Sequence, residues 1–294
     1  MAIARSCSAT SAADRVATVT AAYTAVINIG SLLVSAATAP LANLVGWHLA
    51  MFSWMVLIVV GISVWSVHMR RYRETATDVT SSQTDVVAAM TGPIPQITST
   101  RTLREAVLRP APILLGVAFA LQCGMYYGLS TWLPTMTADL LHTDLTAAGG
   151  FAAIFQGVGI LGAILVPIIN RWVSAPVAAA LVGCWWLAIP LGMLFAPQLI
   201  VLWLALGGIA QAGGFVIVIA TLVSVARTDA EAASMSAVVQ GSGYVIAAVA
   251  APVLGALHDA TAGWTVPLIV VTVTSAAYLV ALISAVIAAR SERA

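Results

Sequence analysis

The sequence predicts an all-α integral membrane protein with eight transmembrane helices. Hydrophobic residues make up 61% of the chain and charged residues 8%, and the mean hydropathy is +1.01, whereas soluble domains carry about 25% charged residues. Eight apolar runs are long enough for a helix to cross a bilayer, which takes about 20 residues. In an eight-span topology, every arginine then falls on one side of the membrane.

Each predicted span is an apolar run bounded by polar or charged residues. The second run opens at Trp47 and the eighth follows Trp264, and tryptophan is common at membrane–water boundaries. Proline and glycine inside the runs are tolerated because neighbouring helices compensate for the backbone bonds that they disturb. The eight runs are residues 17–41, 47–67, 112–134, 147–169, 176–196, 198–222, 234–257 and 265–288.

The charges define the orientation. All twelve basic residues are arginine. They precede the first run, lie between the second and third, or follow the fourth, sixth and eighth, and arginine-rich loops face the cytoplasm. We therefore expect a multi-pass protein of the cell (cytoplasmic) membrane with both termini cytoplasmic. The arginines are Arg5, Arg15, Arg70, Arg71, Arg73, Arg101, Arg104, Arg109, Arg171, Arg227, Arg290 and Arg293.

Composition divides the chain into three predicted domains. Residues 1–67 hold two spans, residues 68–111 form a cytoplasmic linker rich in Ser, Thr, Asp and Gln, and residues 112–294 hold six spans. The end of the linker, Thr100–Pro110, alternates arginines with apolar residues. This pattern is typical of an amphipathic helix at the membrane surface, and equally of an ordinary helical lead-in.

Two stretches resemble each other across the chain. Both Ala22–Trp47 and Ser236–Trp264 carry an amide and small residues early and a proline late, and both end in a Gly-Trp pair. Their separation indicates a repeat of two related halves. The chain would hold all of the second half and only the end of the first.

Amides inside the spans are the candidate binding residues. They occur in spans one, three, four, six and seven, whereas spans two, five and eight have none. Two of them are followed four residues later by a tyrosine on the same helix face. Such a pattern indicates groups of three helices, in which two helices line a central cavity and the third lies outside. The alternative is that the amides form hydrogen bonds between neighbouring helices and bind no solute. The predicted substrate-binding residues are Asn28, Gln122, Tyr126, Gln156, Gln211, Gln240 and Tyr244.

Several other function classes find no support. The chain has no lysine and therefore no Walker A loop, and the motifs of membrane hydrolases are missing, so we do not expect an enzyme. The four histidines, His48, His68, His142 and His258, lack ligand spacing, so we expect no metal and no cofactor. The arginines form no basic stripe that would bind nucleic acid.

Four stretches carry a resemblance to the major facilitator superfamily, in its cyanate permease and nitroimidazole exporter branch. Spans one and two resemble helices five and six of a twelve-helix transporter, the linker resembles its central loop, and spans three to eight resemble its complete C-terminal bundle. The first four helices would be missing. The stretches are LQCGMYYGLSTWLPTM (121–136), FQGVGILGAILVPIINR (155–171), GGIAQAGGF (207–215) and SAVVQGSGYVIAAVAAPVLGALHDATAGW (236–264).

The resemblance implies secondary active or facilitative transport, by alternating access, of a small polar organic solute or anion, cyanate-like or nitroimidazole-like. The expected partners are the lipid bilayer and the solute. A start codon assigned too late, a decayed gene, or a partner chain that supplies the N-terminal helices would account for the missing part. The alternative is a truncated membrane protein that does not transport, either a gene remnant or an assembly partner.

Overall fold

The computed structural model describes residues 26–38, 40–77 and 105–292. Within these ranges, eight helical stretches are long and apolar enough to cross a membrane, as the sequence predicts. The prediction of an all-α membrane protein is confirmed. Most of the predicted linker and residues 100–104 of the predicted amphipathic helix lie outside the described residues, and the predicted division into three domains stays a prediction.

The helices follow the apolar runs and extend beyond several of them. Helix α3 continues ten residues past the predicted end of the second span, and α4 continues seven past that of the third. The second candidate span, Trp47–His68, comprises α2 and most of α3. The helices are α1 (Val26–Val45, apart from position 39), α2 (Trp47–Ser53), α3 (Met55–Thr77), α4 (Pro110–Leu141), α5 (Leu145–Trp172), α6 (Ala175–Phe195), α7 (Ile200–Val225), α8 (Asp229–Thr261) and α9 (Thr265–Ser291).

The described residues form two compact units. The first unit contains α1 as far as Ala36 and all of α4 to α9; the second contains the rest of α1 with α2 and α3. In the second unit, the indole of Trp54 donates a hydrogen bond to Thr38 Oγ1 (3.1 Å). Gly46, whose positive φ of 83° suits glycine, separates α1 from α2.

The core of the first unit lies between pairs of long helices. Helix α4 packs most extensively on α8, α5 packs on α7, and α9 packs on both α4 and α6. Glycines bring α5 and α7 close together. A Cβ atom at Gly208 would lie 2.5 Å from the carbonyl oxygen of Phe155, and one at Gly162 would meet the backbone of Ile209. Small residues at such contacts are typical of helix packing in membranes.

On the side that carries the arginines, one guanidinium joins the ends of several helices. Arg109, just before α4, donates to Glu231 on α8 (2.5 Å) and forms an ion pair of 3.6 Å with Glu292 at the end of α9. It also donates to the carbonyl oxygens of Ala106 and Val225, each at 3.2 Å. We call Arg109, Glu231 and Glu292 the Arg109 cluster.

At the opposite side, the same three helices meet again. The indole of Trp264, at the start of α9, donates to Asp139 Oδ2 on α4 (2.7 Å). His258 of α8 places its ring centroid 4.1 Å from that of Trp264, and its Nε2 lies 4.0 Å from the same carboxylate oxygen. We call Asp139, His258 and Trp264 the Trp264 cluster.

Candidate functional site: a neutral cavity in the first unit

A cavity of about 220 Å³ lies within the first unit. Four helices line it, namely α1, α4, α7 and α8, and every lining side chain is formally neutral. The polar groups are amides, hydroxyls and one thiol, and the rest are aromatic or aliphatic. The lining residues are Ile27, Asn28, Ser31, Gln122, Cys123, Tyr126, Tyr127, Gln211, Phe215 and Tyr244.

Helix α4 contributes most of the polar lining. Gln122 and Tyr126 are four residues apart, so one helix face presents both. The hydroxyl of Tyr126 donates to Gln156 Oε1 on α5 (3.2 Å), which holds the phenol across the gap between the helices. On α7, Gln211 and Phe215 have the same spacing and also border the cavity.

A chain of hydrogen bonds crosses the unit beside the cavity. Tyr278 on α9 donates to Gln122 Oε1 (3.1 Å). Gln122 Nε2 donates to the backbone oxygen of Gln211 (2.8 Å), and Gln211 Nε2 donates to Asn28 Oδ1 (2.6 Å). The exposed fraction of these four residues is 7% or less. Buried polar groups without partners are costly, so these bonds stabilise the arrangement. We call Tyr278, Gln122, Gln211 and Asn28 the amide relay.

Two glycines leave the space that the amide relay occupies. A Cβ atom at Gly214 would lie 2.9 Å from Gln122 Oε1 and closer still to the hydroxyl of Tyr278. A Cβ atom at Gly159 would lie 2.5 Å from Asn28 Oδ1 and closer still to Gln211 Nε2. Each glycine therefore accommodates one of the two side-chain-to-side-chain bonds in the relay.

Aromatic rings form the remaining wall. The rings of Tyr126 and Tyr127 are 5.1 Å apart, and those of Tyr127 and Tyr244 are 6.3 Å apart, both in edge-to-face geometry. Phe119 lies behind them, 5.7 Å from Tyr244 and 5.9 Å from Phe215. Such distances are typical of aromatic clusters that pack firmly and present ring faces and edges to a ligand.

The structure brings five of the seven predicted residues to the cavity: Asn28, Gln122, Tyr126, Gln211 and Tyr244. The other two are placed differently. Gln156 is buried behind the lining, where it accepts the hydrogen bond of Tyr126. Gln240 is half-buried and donates to Ser236 Oγ on its own helix (2.6 Å). The role of all seven in binding a solute stays a prediction.

Sequence reasoning missed Ser31, Cys123, Tyr127, Phe215 and Tyr278. Two of them carried a usable signal. Phe215 follows Gln211 by four residues, as Tyr126 follows Gln122, and Ser31 follows Asn28 by three, so each pair shares a helix face. Tyr278 lies in a span without amides and was overlooked for that reason.

The described residues hold no cluster of three His, Cys, Asp or Glu side chains that could bind a metal ion. His48, His142 and His258 lie near helix ends, whereas His68 lies within α3. The amides, hydroxyls and rings that line the cavity offer hydrogen bonding and contact with aromatic rings.

The chain belongs to the major facilitator superfamily. The sequence profile of that superfamily matches residues 1–182, which is more than half of the chain. This match and the apolar helices confirm the predicted family, and the protein is a multi-pass membrane protein.

Two relatives are similar over most of the chain. The 2-nitroimidazole transporter of Escherichia coli (strain K12) is 25% identical over 265 residues, which cover 88% of this chain and 62% of that protein. The uncharacterized transporter YycB of Bacillus subtilis (strain 168) is 26% identical over 257 residues, covering 84% and 58%. The chain thus spans about three fifths of the length of these relatives.

Proposed function

We propose that this protein takes part in secondary transport of a small polar solute that is neutral or weakly charged, by alternating access. The observation that carries the proposal is the cavity of about 220 Å³ with an entirely neutral lining. A dehydrated anion or cation would require an opposite charge in the membrane. Amides and phenols instead satisfy a neutral polar molecule by hydrogen bonds.

For the substrate class, the proposal is a planar nitroimidazole-like solute. Cyanate-like solutes come second, because cyanate is an anion and the lining supplies no opposite charge. The transporter of 2-nitroimidazole is a relative at 25% identity. The aromatic rings of Tyr126, Tyr127, Phe215 and Tyr244 suit a flat ring, because aromatic groups pair face to edge or offset face to face. A linear cyanate would use the amides and leave most of this aromatic surface without contact.

For the orientation, the proposal places the side with the Arg109 cluster in the cytoplasm and the protein in the cytoplasmic membrane. Arg171 and Arg290 lie in the last turn of α5 and α9, and Arg227 follows the end of α7 by two residues. The positive-inside rule then orients this side inwards.

Uptake into proteoliposomes tests the proposal. The full chain is reconstituted, and the entry of radiolabelled 2-nitroimidazole and cyanate is measured against protein-free liposomes. Gln122→Ala removes a buried amide with two bonding partners, so we expect uptake to fall about tenfold. Gln240→Ala is the matched control, since its amide bonds only within α8, and we expect less than about a twofold change.

Three results would contradict parts of this proposal. Equal losses in the two variants would show that the lining assignment is wrong. Wild-type liposomes that take up neither solute faster than empty liposomes would show that this chain does not transport them. Binding of the solute without uptake would instead favour the alternative function, that of an assembly partner or another membrane protein that does not transport.

A further inference from the structure

The amide of Gln122 can adopt only one orientation with its partners satisfied. Its neighbour on α7 is the backbone oxygen of Gln211, which can only accept a hydrogen bond. The nitrogen of Gln122 must therefore face that oxygen. The amide oxygen then faces α9, where the hydroxyl of Tyr278 donates to it. Together, the two partners determine where the nitrogen and the oxygen of the Gln122 amide lie.

The second amide contact of the relay is of a different kind. Gln211 and Asn28 pair amide to amide, at 2.6 Å. Each amide carries both a donor and an acceptor, so this contact does not by itself determine which of the two donates. The partners of Gln122 do determine its orientation, because one of them is a backbone oxygen.

We infer that Tyr278 is a positioning residue that fixes Gln122 as a hydrogen-bond donor toward the cavity. One N–H of Gln122 is used by Gln211, and its second N–H has no partner among the described residues. The oxygen faces α9, where it accepts from Tyr278, so the group that we expect Gln122 to offer to a solute is this second N–H. The site then selects a solute with an acceptor at that point, such as a nitro oxygen. This inference rests on the proposed function.

Tyr278 does not border the cavity itself. The residues that border the cavity lie on α1, α4, α7 and α8, whereas Tyr278 lies on α9 and is fully buried. Its hydroxyl reaches Gln122 through the space that Gly214 leaves open. The ring of Trp186 lies 6.4 Å away in edge-to-face geometry and helps to hold the phenol in place.

A pair of ring compounds tests the inference. The probes are 3-nitropyridine, whose substituent only accepts hydrogen bonds, and 3-aminopyridine, whose substituent donates; both are uncharged in mildly alkaline buffer. Their dissociation constants are measured on the full chain in lipid nanodiscs. We expect the wild-type protein to prefer the nitro compound by about tenfold, the factor that one well-formed hydrogen bond supplies.

Tyr278→Phe removes only the hydroxyl and leaves the buried oxygen of Gln122 without its donor, so the side chain is no longer held against α9 and its N–H is no longer fixed toward the cavity. We expect the preference to shrink to less than about threefold. Ser275→Ala is the matched control, because Ser275 is also fully buried on α9 but bonds to Val271 and Met125. It should keep the wild-type preference. Gln122→Met should abolish the preference, and adding Tyr278→Phe to it should change nothing further, because the tyrosine acts only through that amide.

If Tyr278→Phe does not fold, Gly214→Ala provides a second route, since its methyl group would crowd the same bond and should also narrow the preference. A preference that survives in the folded variant overturns the inference, as does a wild-type protein that binds both compounds equally or binds neither. Uptake of 2-nitroimidazole is measured on the same preparations. If the protein transports 2-nitroimidazole but binds both pyridines equally, only the inference on Tyr278 is overturned. If it prefers the nitro compound but does not transport 2-nitroimidazole, only the proposed transport function is overturned.

Discussion

The two sides of the first unit join the same three helices by different chemistry. In the Arg109 cluster, a guanidinium ties α4 to carboxylates of α8 and α9. In the Trp264 cluster, a neutral indole ties α9 to a carboxylate of α4, with an imidazole of α8 alongside. The side chains of the first cluster are 16–18% exposed, whereas Asp139 in the second is 52% exposed.

This difference shows which side is held more firmly. A guanidinium has five N–H donors in a rigid fork, so Arg109 serves two carboxylates and two carbonyl oxygens at once. Hydrogen bonds with a charged donor or acceptor are roughly twice as strong as neutral ones, and Arg109 makes several of them whereas Trp264 makes one. The Trp264 cluster depends on one indole bond and on ring contacts. We therefore expect the Arg109 side to contribute more to the free energy of unfolding.

The largest effect should come from Arg109→Gln. The variant leaves Glu231 and Glu292 half-buried without their cation and removes two bonds to carbonyl oxygens. We expect a loss of about 2–4 kcal/mol in the free energy of unfolding, measured by SDS titration of the detergent-solubilised protein. Arg227→Gln, an exposed arginine on the same side, is the control and should change stability by less than about 0.5 kcal/mol. Equal losses in the two variants would show that the bonds of Arg109 add no stability beyond that of any arginine on this side.

An intermediate effect should come from Trp264→Phe. The change keeps an aromatic ring in the buried position and deletes the N–H that Asp139 accepts. We expect a loss of about 1–2 kcal/mol by the same titration. Trp172, which is 85% exposed, supplies the control Trp172→Phe, which should be close to neutral. A larger loss of unfolding free energy in Trp264→Phe than in Arg109→Gln would mean that the side with the Trp264 cluster contributes more to stability.

The smallest effect should come from His258→Gln. Its contact with Asp139 is long, at 4.0 Å, and that carboxylate is half exposed, so solvent screens the interaction. Only the ring contact with Trp264 adds to it. We expect a loss below about 1 kcal/mol. A loss as large as that of Arg109→Gln would mean that the imidazole, not the indole, holds this side together.

The sequence was sufficient for the membrane fold, because hydropathy and arginine position report directly on the bilayer. The ends of the helices were less predictable. Helix α4 ends beyond its apolar run, where His142 adopts a left-handed conformation with φ 52°. Such a residue terminates a helix through its backbone geometry. Hydropathy marks the boundary of the bilayer and carries little information on where a helix ends.

The site was predictable in part for a similar reason. Spacing shows which residues share a helix face, and it grouped Gln122 with Tyr126 correctly. It does not show how each helix is rotated about its axis, so Gln156 and Gln240 could not be separated from the residues at the cavity. The space that Gly159 and Gly214 provide could not be predicted from the sequence either, because it depends on side chains from other helices.

The Arg109 cluster also constrains the order in which the protein is built. Arg109 precedes Glu231 by 122 residues, and Glu292 lies at the end of α9. During synthesis, the guanidinium is therefore made long before either carboxylate. Contacts between residues so distant in sequence form late. The packing of α4 against α8 and α9 at this side can thus be completed only after α9 has been synthesised.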